Sequence, residues 1–183
     1  MSFDLHIIPE CYIDTKLIKA LVPPIIRYNH QKGCSTVSKR MQEKFSDDFA
    51  LGIIDRDKQD LDYASAFDLI CERTGQLQLF KHRTKHHYLI FICPAIEKWL
   101  ISSAEEVGIS LASFNLPHNL KQLTEITKTS KSESQDPFSN NFKQLFEALK
   151  KSESSNIRIL SAWVNHLKLY NYTADLSYLK SIH

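Results

Sequence analysis

Two short apolar runs, each ending in carboxylates, constrain this chain more than anything else in it. Leu5-His6-Ile7-Ile8-Pro9 leads into Glu10, and Phe49-Ala50-Leu51-Gly52-Ile53-Ile54 leads into Asp55-Arg56-Asp57. Runs of this length, rich in β-branched residues, read as buried strands. In an open α/β sheet, ligands bind in the crevice beyond the carboxyl ends of parallel strands. Glu10, Asp55 and Asp57 converging there supply the oxygen donors that Mg²⁺ prefers. Two carboxylates at i and i+2 share a face of extended chain and repel unless a cation or proton sits between them. A solvated acidic turn is the plainer reading of the same residues.

The remaining pattern supports an α/β fold. Residues 3–9 read as the first strand. Asp14 is placed to cap a helix carrying Leu17, Ile18, Leu21 and Val22, and Pro23-Pro24 ends it. Residues 24–28 read as a second short strand or as loop. Gly33 marks a turn before a helix over 35–45, and 49–54 form a central strand. Asp62 is read as the cap of a helix over 63–73, stopped near Gly75. Residues 77–81 and 87–93 read as further strands, and Pro94 as the first turn of a helix running to about 104. This alternation predicts βαβ units and a mainly parallel sheet flanked by helices over residues 1–107. Beyond Gly108, residues 120–127, 141–151 and 156–170 have helical spacing, which predicts a C-terminal helical extension, 108–183, packed on the sheet domain. The Ser-, Thr-, Lys- and Glu-rich stretch 127–137 between them reads as a mobile loop.

Composition narrows the classes. The 183 residues suit one domain with a helical appendage, and 43% are hydrophobic, enough for a core. A net charge of +2 does not by itself argue for nucleic acid. No apolar run approaches the roughly 18 residues of a membrane span. The direct entry into a strand-like segment predicts no secretory leader. Cys11, Cys34, Cys71 and Cys93 form no C-x-x-C pair, and Cys71 and Cys93 read as buried thiols, a pattern that fits a reducing cytoplasm. Serine-hydrolase, Walker and Rossmann glycine motifs are missing, which disfavours those enzyme classes.

The basic cluster Lys81-His82-Arg83-Thr84-Lys85-His86-His87 lies between two strand-like runs. It is either a solvated turn or a loop that grips a phosphate backbone. Arg56 and Lys58 flank the acidic pair and could contact a scissile phosphate or merely soften local charge. Adjacent His86 and His87 would face opposite sides of a strand, which argues against zinc.

Glu10 with Asp14, and Asp55-Arg56-Asp57, resemble the Toprim domain of topoisomerases, primases and several nucleases. The likeness covers about the first 105 residues. Cys11 stands where that family places glycine after the glutamate. The segment Tyr88-Leu89-Ile90-Phe91-Ile92-Cys93-Pro94-Ala95-Ile96-Glu97-Lys98-Trp99-Leu100 looks like the strand-Pro-Glu-x-Trp-Leu region of small Toprim-like proteins of bacterial phage defence, of the RloB-like and OLD-type groups. The resemblance implies a Toprim-like, Rossmann-like fold and Mg²⁺- or Mn²⁺-dependent hydrolysis of phosphodiesters in DNA or RNA. It implies Glu10, Asp55 and Asp57 as catalytic metal ligands and Glu97 as a further ligand; Arg56, Lys58, Lys81, Arg83 and Lys85, by their charge and place, are the candidate nucleic-acid contacts. It also implies an anti-phage effector working with a separate ATPase subunit; a second copy of the chain is a further candidate partner. The alternative is a non-catalytic Toprim-fold subunit that docks a partner protein through its C-terminal helices.

Overall fold

The structure is a computed structural model, and it describes residues 3–56 and 62–183. Among these residues five strands, β1 (Ile7–Pro9), β2 (Ala50–Asp55), β3 (Phe67–Arg73), β4 (Leu77–His82) and β5 (His87–Ile92), form one sheet in the order β1-β2-β5-β4-β3. β1, β2 and β5 are mutually parallel, whereas β5–β4 and β4–β3 are antiparallel. The sheet is therefore mixed, and the expectation of a mainly parallel one is corrected.

The cause of that correction is β3. Residues 63–73 do not form a helix. Asp62–Ala66 is a 3₁₀ turn, and Phe67–Arg73 is an edge strand with a register shift between Leu69 and Cys71. The one-sided apolar spacing of Phe67, Ile70 and Cys71 mimics a helix, but cross-strand pairing with β4 wins. Thr74 and Gly75 both hold positive φ (56° and 65°), as a tight hairpin requires, so Gly75 joins two strands and does not stop a helix. The first strand is also shorter than expected, because Asp4–His6 forms a 3₁₀ turn before β1.

Among the described residues seven helices flank the sheet: α1 (Tyr12–Leu21), α2 (Cys34–Lys44), α3 (Ile96–Glu106), α4 (Leu120–Lys128), α5 (Ser139–Lys151), α6 (Ser155–Tyr170) and α7 (Leu176–Ser181). Alternation along β2 divides the core. Ala50 and Ile54 face α2, with Val37, Met41 and Leu89. Leu51 and Ile53 face the other layer, where α1, α3 and the C-terminal helices share one continuous core around Trp99, Phe142, Phe146 and Trp163. Cys34 is buried and Cys71 and Cys93 are half-buried, which adjusts the expected burial of the last two; none of the four cysteines is in a disulfide among the described residues.

Residues 127–137 are anchored where the sequence suggested a mobile loop. The Lys16 ammonium pairs with Asp136, with 6% and 2% of the side chains exposed. Ser130 Oγ accepts from Lys16 Nζ at 3.1 Å, and Lys19 pairs with Glu133 at 2.7 Å. Among the described residues, no helix is long and apolar enough to cross a membrane.

Candidate metal and nucleic-acid site

The site forms where four elements end or begin together: β1, α1, β2 and α3. β1 delivers Glu10, whose N–H donates to Ile53 O at 3.0 Å and so extends the pairing with β2. The chain then turns into α1. Cys11, not Asp14, is the N-cap: its Sγ accepts from Asp14 N–H at 3.3 Å, and Asp14 Oδ2 accepts from Cys11 N–H at 3.1 Å. This is a reciprocal capping box with a thiol in the place of a hydroxyl. The residue where the family likeness expects glycine therefore holds a defined structural post. Asp14 is 1% exposed, and its Oδ1 has no hydrogen-bond partner among the described residues.

β2 delivers Asp55. Its N–H donates to Glu10 Oε2 at 3.0 Å, and its Oδ1 accepts from Ile96 N–H at 2.9 Å. α3 begins at Ile96, after Cys93-Pro94, and its N-cap residue Ala95 has no side-chain cap. Asp55 thus caps α3 from a neighbouring strand, its Oδ1 accepting from an N–H that has no partner within the helix. Glu97 lies in the first turn of α3 and accepts a hydrogen bond from the Thr127 hydroxyl.

These carboxylates influence one another. Burial, then the charges of Asp14, Glu10 and Glu97, push the Asp55 carboxyl up to about 9. Burial likewise raises Asp14 to about 7, with Glu10 and Glu97 adding to it against the hydrogen bond from Cys11. Burial and Asp14 push the Cys11 thiol well up, so it is no nucleophile at neutral pH. Four acidic side chains in one partly dry crevice attract a proton or a hard cation. The oxygen donors and the partnerless buried Asp14 oxygen suit a divalent ion chemically. Among the described residues, however, no three His, Cys, Asp or Glu side chains are placed to hold one together. Asp57 and Lys58 lie outside the described residues.

The expected basic contacts divide. Arg56 follows Asp55 directly; it donates to Gln78 Oε1 at 2.6 Å and lies 5.3 Å from the Phe91 ring centroid. Lys81, Arg83 and Lys85 sit at the opposite end of the sheet. β2 and β5 pair from Ala50–His87 to Asp55–Ile92, so the basic hairpin before His87 lies about a strand's length from Asp55, ~16–20 Å at the usual rise. Its cations staple the hairpin. Lys81 Nζ donates to His82 O at 3.1 Å, Arg83 pairs with Asp68 at 2.9 Å, and Lys85 Nζ donates to Ser46 O at 2.7 Å. His87 is fully buried; its Nε2 lies 2.7 Å from Phe45 O and its Nδ1 2.6 Å from the Tyr63 hydroxyl, so both ring nitrogens are engaged.

A second positive surface adjoins Glu10 instead. Asn29 N–H donates to Ile7 O, Gln31 N–H to Pro9 O and Gly33 N–H to Glu10 O (3.0, 3.0 and 3.3 Å), so residues 29–33 run alongside β1. Between this segment, α1, α2 and the 132–134 turn lies a cleft of about 760 Å³. The only sequence signal for it is the polar and aromatic run Arg27-Tyr28-Asn29-His30-Gln31, which carries no motif.

Compared with known proteins, the chain matches no family model, no curated protein and no solved structure.

Proposed function

We propose that this chain is a Toprim-like, Mg²⁺- or Mn²⁺-dependent phosphodiesterase acting on nucleic acid. The observation that carries the reading is the convergence of Glu10, Asp14, Asp55 and Glu97 at the ends of β1 and β2 and the starts of α1 and α3. In this reading Glu10, Asp55 and Asp57 hold the cation, with Glu97 close by. When bound, the cation would polarise a phosphoryl oxygen and lower the pKa of a water.

The chain's own groups have separate tasks. The Asp55 N–H fixes the Glu10 carboxylate through Oε2, and the start of α3 fixes Asp55 through Oδ1. Both acids are thus held before any substrate arrives, which limits reorganisation. Asp14, raised toward neutrality, is suited to taking up a proton near the reacting phosphate. A role as an anti-phage effector working with an ATPase subunit follows from the family likeness alone.

A second reading is a non-catalytic Toprim-fold subunit that docks a partner protein. It is favoured by the structural employment of Asp55 as the cap of α3. Incubation with labelled single-stranded and duplex DNA and RNA, with Mg²⁺, Mn²⁺ or EDTA, separates the two. Metal-dependent cleavage that disappears in Asp55→Asn supports the phosphodiesterase. Cleavage that survives Asp55→Asn and Asp57→Asn together refutes the proposed site.

A further inference from the structure

We infer that the cleft beside Glu10 is the track for a single-stranded nucleic acid, with Tyr12 as the platform on which a base stacks. The inference rests on the phosphodiesterase reading for what the track delivers, but not for its binding chemistry.

Charge is the first support. Lys16, Lys19, Arg27, Arg40 and Lys44 line the cleft, against one acid, Glu133. Glu133 is already paired with Lys19, and Lys16 with Asp136. Arg27 is exposed and Arg40 half-exposed, and neither guanidinium makes an ion pair or hydrogen bond among the described residues. Two arginines so placed are available for phosphate, whose geometry the guanidinium fork matches.

The second support is the ring pair. Tyr12 and His30 stack with centroids 4.0 Å apart and planes 20° from parallel. The pair is held from below. The Thr15 hydroxyl donates to Cys11 O at 2.7 Å and lies 3.2 Å from His30 Nδ1, so Nδ1–H is the donor in that contact. Burial keeps the His30 ring below its ordinary pKa, so it is neutral at pH 7 and stacks as a flat aromatic. Tyr12 is 37% exposed. A part-exposed aromatic ring, steadied by a stacked partner and set among cations at a cleft wall, is the kind of platform that binds single strands with little sequence preference. Duplex bases keep their faces stacked on one another and cannot use it.

The third support is position. Tyr12 is two residues from Glu10, and Gly33, which follows the cleft segment, donates its N–H to Glu10 O. A backbone lying along Arg27 and Arg40 with a base on Tyr12 therefore runs beside the β1 end that carries Glu10. The basic hairpin at the far end of the sheet does not lie on this path.

The test is fluorescence anisotropy with labelled twelve-nucleotide oligo-dT and oligo-U, and a duplex of equal length, in EDTA so that no cleavage intervenes. The single strands are expected to bind the wild-type chain more tightly than the duplex. Tyr12→Leu, which keeps helix and bulk, should weaken binding about tenfold, and Tyr12→Phe should restore it. Arg27→Ala with Arg40→Ala should flatten the dependence of log K on log salt by roughly 0.7 for each phosphate that is no longer neutralised. Arg83→Ala, at the far end of the sheet, should bind like wild type. Failure of the single strands to bind, equal binding of the duplex, or wild-type affinity and salt slope in the Tyr12 and arginine variants would each overturn the track. Cleavage that persists without any dependence on Tyr12 would overturn the track and leave the acid site standing. Tyr12-dependent binding without cleavage would do the reverse.

Discussion

Asp136→Asn should unfold the wall of the cleft at a cost far beyond that of an ordinary surface substitution. Asp136 and Lys16 are 2% and 6% exposed, so water cannot replace either charge's partner. The carboxylate also accepts from Phe138 N–H at 2.9 Å and from the Ser130 hydroxyl at 2.5 Å. Asparagine keeps much of that shape but leaves the Lys16 ammonium buried without a counter-charge. Breaking a buried pair in this way costs about 3–5 kcal/mol. For a chain of this size each kcal/mol lowers Tm by roughly 2–4 °C, so the shift should exceed about 6 °C. Urea unfolding followed by the fluorescence of Trp99 and Trp163, both fully buried, measures it. Lys16→Met with Asp136→Leu should recover most of the loss, because an apolar pair of similar volume removes the uncompensated charge. The pH dependence has a defined sign. Burial alone would raise the Asp136 carboxyl, but the bonds from Lys16 and Ser130 outweigh it and hold it below its ordinary value of 3.8. The stabilisation is therefore complete above about pH 4 and is lost as pH falls through the lower folded value. That acid limb should be missing in Asp136→Asn. A single-variant cost below about 1 kcal/mol would show that water reaches the pair and would refute the reasoning.

Two further outcomes follow from the same packing and electrostatics. A Cβ on Gly52 would lie 2.7 Å from Leu89 Cδ2 and 3.0 Å from Met41 Sδ and Val37 Cγ1, so Gly52→Ala should cost about 1–3 kcal/mol in urea unfolding; unchanged stability would mean that α2 is free to move off the sheet. The Asp55 carboxyl is raised to about 9, so its contribution to stability is full below about pH 4 and is lost progressively as pH rises from there through 9. Without divalent metal, Asp55→Asn should therefore melt higher than wild type at pH 8 and show a flatter Tm-against-pH curve; a lower Tm at pH 8 would contradict the repulsion described for the acid cluster.

The central strands and the Glu10–Asp55 pair were legible because burial on both faces leaves a continuous apolar run, and a carboxylate cannot continue it. Parallel pairing of β1 and β2 then brings the two ends together. β3 was not legible. Its half-exposed edge position permits an apolar spacing that suits a helix as well as a strand, and only the partner strand decides between them. The hairpin cations Lys81, Arg83 and Lys85 show a different limit: sequence reports that charge is clustered, but register decides which end of the sheet receives it.

The chain's sequence by itself determined an α/β core, a carboxylate at each of two strand ends and a helical C-terminal half. Hydrophobic period and chain punctuation are local properties, readable without neighbours. Tertiary structure decided the mixed sheet, the anchoring of residues 127–137 through Lys16, the capping of α3 by Asp55, and the cleft that joins Tyr12 to Arg27, His30 and Arg40. Each of these depends on groups distant in sequence meeting in space, where desolvation and pairing set their energies and no local pattern records them.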